Sequence, residues 1–417
     1  MNIKNIVEKI GINAKEAARS LALLSTEKKN IALKTLHKNI NKSYKAILEA
    51  NHKDIDKAEK NSLSNQMINR LKLSEKSLDN ILKSIEEIIK LPDPIGETLE
   101  EWVRPNGLKF KKISVPLGVL GIIYESRPNV TVDATCIALK SSNAVILRGG
   151  SDSYFSSNKF VEIIAESFLE AKLPSHSVQM IPTTNREAVD CLLNMKDYID
   201  VIVPRGGKSL IKKIDDKSLI PVIKHLEGIC HIYIDKDANL NNAKKVIFNS
   251  KMRRPEICGA AETLLIDKSL NNQTLELLKP LIDANCEIRG DENIKLLNNN
   301  FLLASEKDWG TEYLDKIISV KFVDDIKDAI NHINKYSSGH TESIVTENNS
   351  SFEKFFSNID SAIILKNAST QFADGGEFGF GAEIGISTDK LHVRGPVGSE
   401  HLTSFKYIVN GNGQVRA

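Results

Sequence analysis

One short stretch around Cys258 combines residue types that could carry out covalent chemistry. Three cationic side chains, those of Lys251, Arg253 and Arg254, precede the cysteine, and Gly259 follows it directly. Nearby positive charge stabilises the thiolate, which is the reactive form of cysteine, and a glycine lets a substrate approach the backbone. The stretch therefore predicts a nucleophile that attacks a carbonyl group. The alternative, a small buried apolar residue, describes most free cysteines and stays open here.

The segments on either side of the cysteine predict an α/β lobe that holds it. Pro255 ends any helix before Cys258, and the apolar run Leu264 to Ile266 predicts a buried strand after it. Further strand candidates lie at 231–234, 318–322 and 343–345, with helical patterns at 243–249 and 326–336. Alternation of strands and helices is typical of a parallel sheet covered by helices.

A second α/β region precedes this lobe. Strand candidates lie at 119–124, 144–147 and 201–203, and a helical stretch covers 158–171. Two of the strands end in an arginine followed by two glycines, Arg148-Gly149-Gly150 and Arg205-Gly206-Gly207. Ligands in open α/β sheets bind at the carboxyl ends of strands, and helix N-termini there suit phosphate. The two turns indicate a nucleotide site, although the sequence lacks Gly-x-Gly-x-x-Gly after a strand and tight turns are the alternative.

The remaining segments are helices, exposed strands and one long loop. Apolar residues three and four apart predict helices up to about residue 90, with Ser74 as an N-cap. Asn106-Gly107 predicts a β-hairpin, and 404–409 predicts a strand that pairs with it or with another subunit, an edge hairpin of a monomer being the alternative. Residues 367–390 contain five glycines and predict a functional loop.

Composition narrows the class of protein. The 417 residues are 41% hydrophobic and 26% charged, which predicts about two or three globular domains. The formal charge of +2 gives no reason to expect binding to nucleic acid or to a membrane surface. Five scattered cysteines without a Cys-x-x-Cys pair favour a reducing compartment and predict neither a disulfide framework nor a metal site. We expect a soluble cytoplasmic protein.

From about Val103 to the C-terminus these motifs resemble the gamma-glutamyl phosphate reductases, or glutamate-5-semialdehyde dehydrogenases, of the aldehyde dehydrogenase superfamily. The resemblance implies an α/β, aldehyde dehydrogenase-like fold with two Rossmann-like lobes and a β oligomerisation flap. The N-terminal helices and an NADP-binding domain would together cover 1–99 and 116–225. A catalytic domain would cover 226–395, and the flap would cover 100–115 and 400–417.

The same resemblance implies an activity. NADPH would reduce L-glutamyl 5-phosphate to L-glutamate 5-semialdehyde and phosphate through a thioacyl intermediate on Cys258, which is the second step of proline biosynthesis from glutamate. It also implies a homo-oligomer. Association with glutamate 5-kinase, which makes the unstable substrate, is a further expectation. Two other functions stay open: a general NAD(P)-dependent aldehyde dehydrogenase, and a non-catalytic nucleotide-binding protein of the same fold.

The resemblance carries roles onto single residues. Asn129 matches the amide that binds the oxyanion, with helix capping as its alternative role. The residues implied for NADP(H) are Glu312 at the nicotinamide ribose, Arg148 and Ser151 at the adenosine ribose, and Gly206 and Gly207 at the pyrophosphate. The residues implied for substrate are Arg253 and Arg254, for which simple solvation is the alternative, and Asn367, Ser369 and Thr370.

Some positions depart from the family pattern. His225 stands where the superfamily has the glutamate that activates water, with Glu227 two residues on, and this favours phosphate as the acyl acceptor over water. Gly259 stands where asparagine is common, and Gln371 where arginine is common. Cys230 is the one rival nucleophile, and we expect the other cysteines to pack in the core.

Overall fold

The structure is a computed structural model that describes residues 2–416. The chain folds into two compact units. The first unit comprises Met1–Lys224, Gly379–Gly385 and Val397–Ala417, and the second comprises His225–Phe378 and Ile386–Pro396. In the described part of the chain, no helix is both long and apolar enough to cross a membrane.

The first unit begins with five amphipathic helices. They are α1 (Ile3–Leu21), α2 (Thr26–Lys42), α3 (Tyr44–Lys60), α4 (Asn65–Leu71) and α5 (Glu75–Lys90). The predicted cap of α5 is confirmed, because the Ser74 hydroxyl accepts a hydrogen bond from the Ser77 N–H and the Ser77 hydroxyl accepts one from the Ser74 N–H. Helices α1, α2 and α5 each bury one mainly apolar face, as the spacing of their apolar residues requires.

A four-stranded parallel sheet forms the core of the first unit. Its elements are β3 (Val119–Tyr124), α6 (Val130–Lys140), β4 (Ala144–Gly149), α7 (Tyr154–Glu170), β5 (Val178–Met180), α8 (Glu187–Leu192), β6 (Val201–Arg205) and α9 (Lys208–Lys217). The strand order β5-β4-β3-β6 confirms the predicted strands and puts the carboxyl ends of β3, β4 and β6 side by side. The residues that follow these three strands therefore share one edge of the sheet.

The first unit also contains a three-stranded antiparallel sheet. The predicted hairpin consists of β1 (Thr98–Val103) and β2 (Lys109–Pro116), and β2 also pairs with the C-terminal strand β16 (Thr403–Asn410). The distant β segments of the chain thus pair with each other, as one of the sequence predictions had it. Strands β1 and β16 are the edges of this sheet.

The second unit is built on a seven-stranded sheet in the order β10-β9-β11-β8-β7-β12-β13, with every pair parallel. Its elements are β7 (Cys230–Ile234), α10 (Leu240–Met252), β8 (Ala261–Asp267), α11 (Thr274–Asp283), β9 (Glu287–Gly290), α12 (Glu292–Leu297), β10 (Leu302–Leu303), β11 (Ile317–Val323), α13 (Ile326–Tyr336), β12 (Thr341–Val345), α14 (Asn349–Asn358) and β13 (Ile363–Lys366), followed by the two-residue strands β14 (Ile386–Ser387) and β15 (Gly395–Pro396). The central strands are buried on both faces, which explains their continuous apolar runs.

Candidate active site

Cys258 lies in the loop between the end of α10 and the start of β8. Pro255 follows the helix end at Met252, as its missing N–H predicts. The cysteine is half-buried and free of any disulfide. A loop that leads into a buried central strand is a rigid support for a nucleophile, because the strand fixes where the loop ends.

Two histidines flank the Cys258 thiol. The sulfur and one ring nitrogen each of His225 and His340 lie within 4.8 Å of one another. Burial by itself would raise the pKa of the Cys258 thiol, but electrostatic interactions with His340 and His225 outweigh burial and hold that pKa well below its ordinary value. Cysteine and histidine also bind metal ions, but an ion on the sulfur would occupy the nucleophile, so we assign the cluster to thiolate chemistry.

Each histidine ring is fixed by a contact at Nδ1. His225 Nδ1 lies 2.8 Å from the carbonyl oxygen of Ile386, and since a carbonyl only accepts, Nδ1 carries the proton. His340 Nδ1 lies 2.8 Å from the hydroxyl of Thr341. His340 is fully buried and its Nε2 has no hydrogen-bond partner among residues 2–416, whereas His225 is half-buried. The two rings therefore differ in their access to solvent.

The cations that precede the cysteine do not stabilise the thiolate in the way predicted. Lys251 is fully buried, and its Nζ lies 2.5 Å from a carboxylate oxygen of Glu262. Arg254 forms an exposed ion pair with Glu256, at 3.2 Å. The positive charge that lowers the pKa of Cys258 comes from His340 and His225, and the prediction that Lys251 supplies it is wrong. Lys251 balances the buried carboxylate of Glu262 instead.

Gly228 packs directly against the nucleophile. A Cβ atom on Gly228 would lie 2.0 Å from the carbonyl oxygen of Cys258 and 2.6 Å from its Cα. The N–H of Gly228 donates a 2.9 Å hydrogen bond to the carboxylate of Glu312. Burial raises the pKa of Glu312, and this hydrogen bond opposes that effect. Glu312, which the resemblance assigns to the nicotinamide ribose, thus lies in the same unit as Cys258 and supports the segment that contacts it.

Gln371 braces the loop that carries the nucleophile. Its amide donates hydrogen bonds to the carbonyl oxygens of Ser250, at 3.0 Å, and Arg254, at 3.2 Å. Its side-chain oxygen lies 3.5 Å from a guanidinium nitrogen of Arg253. The residue that departs from the family pattern therefore joins the glycine-rich segment to the end of α10.

The substrate residues implied by the family pattern differ in what they contact. The Asn367 side chain accepts from the N–H of Thr346 and donates to the carbonyl of the same residue, so both ends of its amide are occupied. Ser369 caps the 3-10 turn Thr370–Phe372. Thr370 is buried with its hydroxyl unpartnered among the described residues, and its carbonyl oxygen would lie 3.2 Å from a Cβ on Gly259.

Cys230 has the properties of a structural cysteine. Burial raises the pKa of its thiol well above the ordinary value, so the thiol stays protonated. The thiol donates a 3.2 Å hydrogen bond to the carbonyl oxygen of Cys258 and thereby helps to hold the loop. Cys136 and Cys286 are buried as predicted, whereas Cys191 is only half-buried.

In the first unit, Asn129 is held by a neighbour on its own helix. The residue precedes α6, but its side chain makes no capping hydrogen bond, so the alternative of helix capping is wrong. Instead, its amide donates a 2.9 Å hydrogen bond to Asp133. Burial raises the pKa of Asp133 to about 6, although the Asn129 amide and Arg205 act in the opposite direction. The carboxylate fixes the Asn129 amide and leaves one of its two N–H bonds for another acceptor.

The predicted cofactor residues of the first unit meet at the carboxyl edge of its sheet. The guanidinium of Arg148 donates to the carbonyl oxygens of Gly149 and Thr184, both at 2.8 Å, and its Nε has no partner among the described residues. Gly207 is the N-cap of α9 and has open space around its α-carbon. A Cβ on Gly206 would lie 2.8 Å from the Glu125 carboxylate, so a larger residue would not fit without movement. Ser151 is exposed next to this edge.

Comparison with known proteins identifies the class. The family model for the "Aldehyde dehydrogenase family" matches residues 4–287. A gamma-glutamyl phosphate reductase of Paramagnetospirillum magneticum is 52% identical over 98% of this chain and 96% of its own, and one of Brucella suis is 51% identical over 100% and 99%. The crystal structure of gamma-glutamyl phosphate reductase from Thermotoga maritima has a TM-score of 0.95 and 43% identity, covering 99% of this chain and 100% of that one.

The chain therefore belongs to the aldehyde dehydrogenase family. Within that family it is a member of the gamma-glutamyl phosphate reductases, since the similarity to them covers almost the whole of both chains.

Proposed function

We propose that this protein reduces L-glutamyl 5-phosphate to L-glutamate 5-semialdehyde with NADPH, the second step of proline biosynthesis from glutamate. The observation that carries the proposal is the Cys258 thiol, whose pKa is held well below its ordinary value between two histidines. A nucleophile of this kind forms an acyl-enzyme from an activated acyl donor. The family membership supplies the identity of the acyl group.

The proposed cycle has two chemical steps. The Cys258 thiolate attacks the acyl phosphate and displaces phosphate, which leaves a thioester on the sulfur. Bound NADPH would supply a hydride to that thioester, and the thiohemiacetal on Cys258 would release the aldehyde and regenerate the thiolate. Asn129 would donate its remaining N–H to the oxyanion, a role in which the loss of one donor costs about 2.7–4 kcal/mol of transition-state stabilisation.

The residue type at position 225 supports phosphate rather than water as the acyl acceptor. The superfamily glutamate that activates water corresponds to His225 in this chain. Nearby Glu312 is engaged by the N–H of Gly228. Without that water-activating carboxylate, the thioester persists long enough to react with hydride or with phosphate, which is what a phosphorylating dehydrogenase needs.

The residues proposed for NADP(H) are assigned one by one. We assign Glu312 to the nicotinamide ribose, and Gly206 and Gly207 to the pyrophosphate, where the start of α9 offers main-chain N–H groups. Arg148 and Ser151 would contact the adenosine ribose. Since both Nη atoms of Arg148 already donate to carbonyls and the side chain is buried, its charge is what it would offer to a 2′-phosphate.

The remaining assignments complete the proposal. Arg253 and Arg254 would hold the leaving phosphate, and Ser369 and Thr370 would contact the glutamyl group, whereas Asn367 would act through the strand end that it fixes. We propose the cytoplasm as the compartment.

We further propose that the sheet β1-β2-β16 forms a homo-oligomer contact, because the side chains of Val103, Phe405 and Tyr407 are exposed on its two edge strands. Association with glutamate 5-kinase would shorten the path of an unstable acyl phosphate. Size-exclusion chromatography with light scattering tests the first proposal, and co-purification with the kinase tests the second.

The reverse reaction tests the proposed function. Glutamate 5-semialdehyde and NADP⁺ are mixed with the protein with and without inorganic phosphate, and the NADPH absorbance is followed for wild type and Cys258→Ala. We expect continuous turnover only with phosphate, and none in the variant. Equal turnover without phosphate would show a hydrolytic aldehyde dehydrogenase, and turnover in Cys258→Ala would remove this cysteine from the mechanism.

A further inference from the structure

The proton balance of the proposed reaction requires an acid close to the nucleophile. When the thiolate displaces phosphate from an acyl phosphate, the C–O bond breaks and the leaving oxygen takes the bonding electron pair. Phosphate leaves most readily as its protonated dianion, so one proton must reach that oxygen as the bond breaks. The hydride step needs no further proton, because the thiohemiacetal oxyanion collapses directly to aldehyde and thiolate. One turnover therefore consumes one proton, at the acyl-transfer step.

Among the described residues, His225 and His340 each place a ring nitrogen within 4.8 Å of the sulfur. His340 is fully buried, and its Nδ1 also lies 3.6 Å from the Cys230 sulfur. A ring in that position is suited to a fixed electrostatic partner of the thiolate, because its proton cannot be replaced readily from water. His225 is half-buried, so solvent can return a proton to it between turnovers.

The orientation of the His225 ring selects the atom that would transfer the proton. Nδ1 carries a proton and donates it to the carbonyl oxygen of Ile386 at 2.8 Å. The exchangeable proton of the imidazolium therefore resides on Nε2, the opposite edge of the ring. A backbone carbonyl fixes the ring in this tautomer in the same way that orienting groups fix catalytic histidines elsewhere. The other charged groups that act on this site are His340, Cys258 and the carboxylates of Glu312 and Glu227.

We propose that His225 is the general acid of acyl transfer, donating its Nε2 proton to the departing phosphate, and that in the reverse direction it accepts the proton of the attacking phosphate. The S–C bond forms, the C–O bond breaks, the phosphate leaves as the dianion, and the neutral ring regains a proton from water. No oxidant or additional reactant is required. This inference rests on the proposed function and assigns one step of it to one side chain.

The reverse reaction separates this step from the hydride step. Without phosphate, aldehyde and NADP⁺ give one burst of NADPH per active site, as the thioacyl enzyme forms; with phosphate, turnover continues. His225→Asn keeps a donor near the position of Nδ1 and removes Nε2. Because His225 also lowers the pKa of Cys258, the burst rate of this variant should fall, as in a variant of His340. We expect its phosphate-dependent turnover to fall by a further factor of about 10²–10⁴, the usual contribution of a general acid or base.

His340→Asn is the matched control, because the same substitution on the other ring should slow the burst itself through loss of thiolate. The burst amplitude counts folded active sites in each variant, and His225→Gln provides a second substitution of the same residue. Equal losses of burst rate and turnover in both His225 variants, or unchanged turnover in either, would overturn the proposal. Absence of a burst in wild type would refute the proposed function itself, whatever the variants do.

Discussion

Substituting Gly228 with alanine should displace the nucleophile while leaving every functional group in place. The added Cβ would lie 2.0 Å from the Cys258 carbonyl oxygen, whereas real Cβ atoms essentially never approach another heavy atom closer than 3.0 Å. The neighbouring atoms belong to the backbone, so one of the two chain segments must move by about 1 Å, and a misplacement of that size can cost about 10²-fold in rate. The hydrogen bond from the residue 228 N–H to Glu312 uses the backbone and can persist.

We therefore expect kcat/KM of Gly228→Ala to fall by about 10²-fold in the phosphate-dependent reverse assay. Overpacking of this kind should also lower the free energy of unfolding by about 1–3 kcal/mol, which urea denaturation measures. Gly310→Ala is the matched control, because a Cβ there meets nothing within 4 Å. If Gly228→Ala keeps wild-type kcat/KM, the close contact between residues 228 and 258 does not position the nucleophile and the reasoning fails.

Three further substitutions test other parts of the site. His340→Asn should raise the pKa of Cys258 back towards its ordinary value, so we expect iodoacetamide to label wild type but not the variant as the pH falls below neutrality; identical pH profiles would contradict this. Burial raises the pKa of Glu262 to about 8, although Lys251 opposes that effect. Above that pH, Lys251→Met should lower the free energy of unfolding by about 3–5 kcal/mol, because the buried Glu262 carboxylate is then charged and has lost its partner, and adding Glu262→Gln should restore part of it; equal urea midpoints there would refute the pairing. Gln371→Ala should lower kcat/KM of the folded protein, because two hydrogen bonds that hold the nucleophile loop are lost. A lower free energy of unfolding with unchanged kcat/KM would argue against that role.

Much of the fold could be predicted because local pattern and tertiary environment agree. The apolar spacing from Ile326 to Tyr336 predicted a helix with the bounds that α13 has. The apolar run at 119–124 predicted β3, which is buried on both faces, as strands of a parallel sheet are. The hairpin at Asn106-Gly107 followed from the turn residues and from the alternating side chains on both sides of them.

The surroundings of the nucleophile were harder to predict, because they depend on strand order. His340 precedes β12 and Cys258 precedes β8, and the order β8-β7-β12 in the sheet brings the two together; nothing in the local sequence of His340 signals this. Lys251 is the opposite case. It lies close to Cys258 in the sequence, but its side chain points into the core towards Glu262. His225 was singled out by its departure from a family pattern, but its contact with the thiol required the structure.

Asn367 shows the limit of a motif. Its family pattern implied a substrate contact, whereas both ends of its amide bind the main chain of Thr346. Its backbone has a positive φ of 53°, a conformation that asparagine adopts more readily than most residues. Asparagine at this position is therefore explained by its hydrogen bonds to the end of the neighbouring strand. Sequence alone could not distinguish this structural role from a role in substrate binding.

The central claim is that Cys258 carries an acyl group that exchanges with phosphate rather than with water. The most direct measurement is mass spectrometry of the protein after incubation with glutamate 5-semialdehyde and NADP⁺ in phosphate-free buffer, followed by acid quenching and peptide mapping. The account predicts a glutamyl adduct on the peptide that contains Cys258, and its removal when phosphate is added before the quench. An adduct on Cys230, or one that disappears in water as fast as in phosphate, would contradict it.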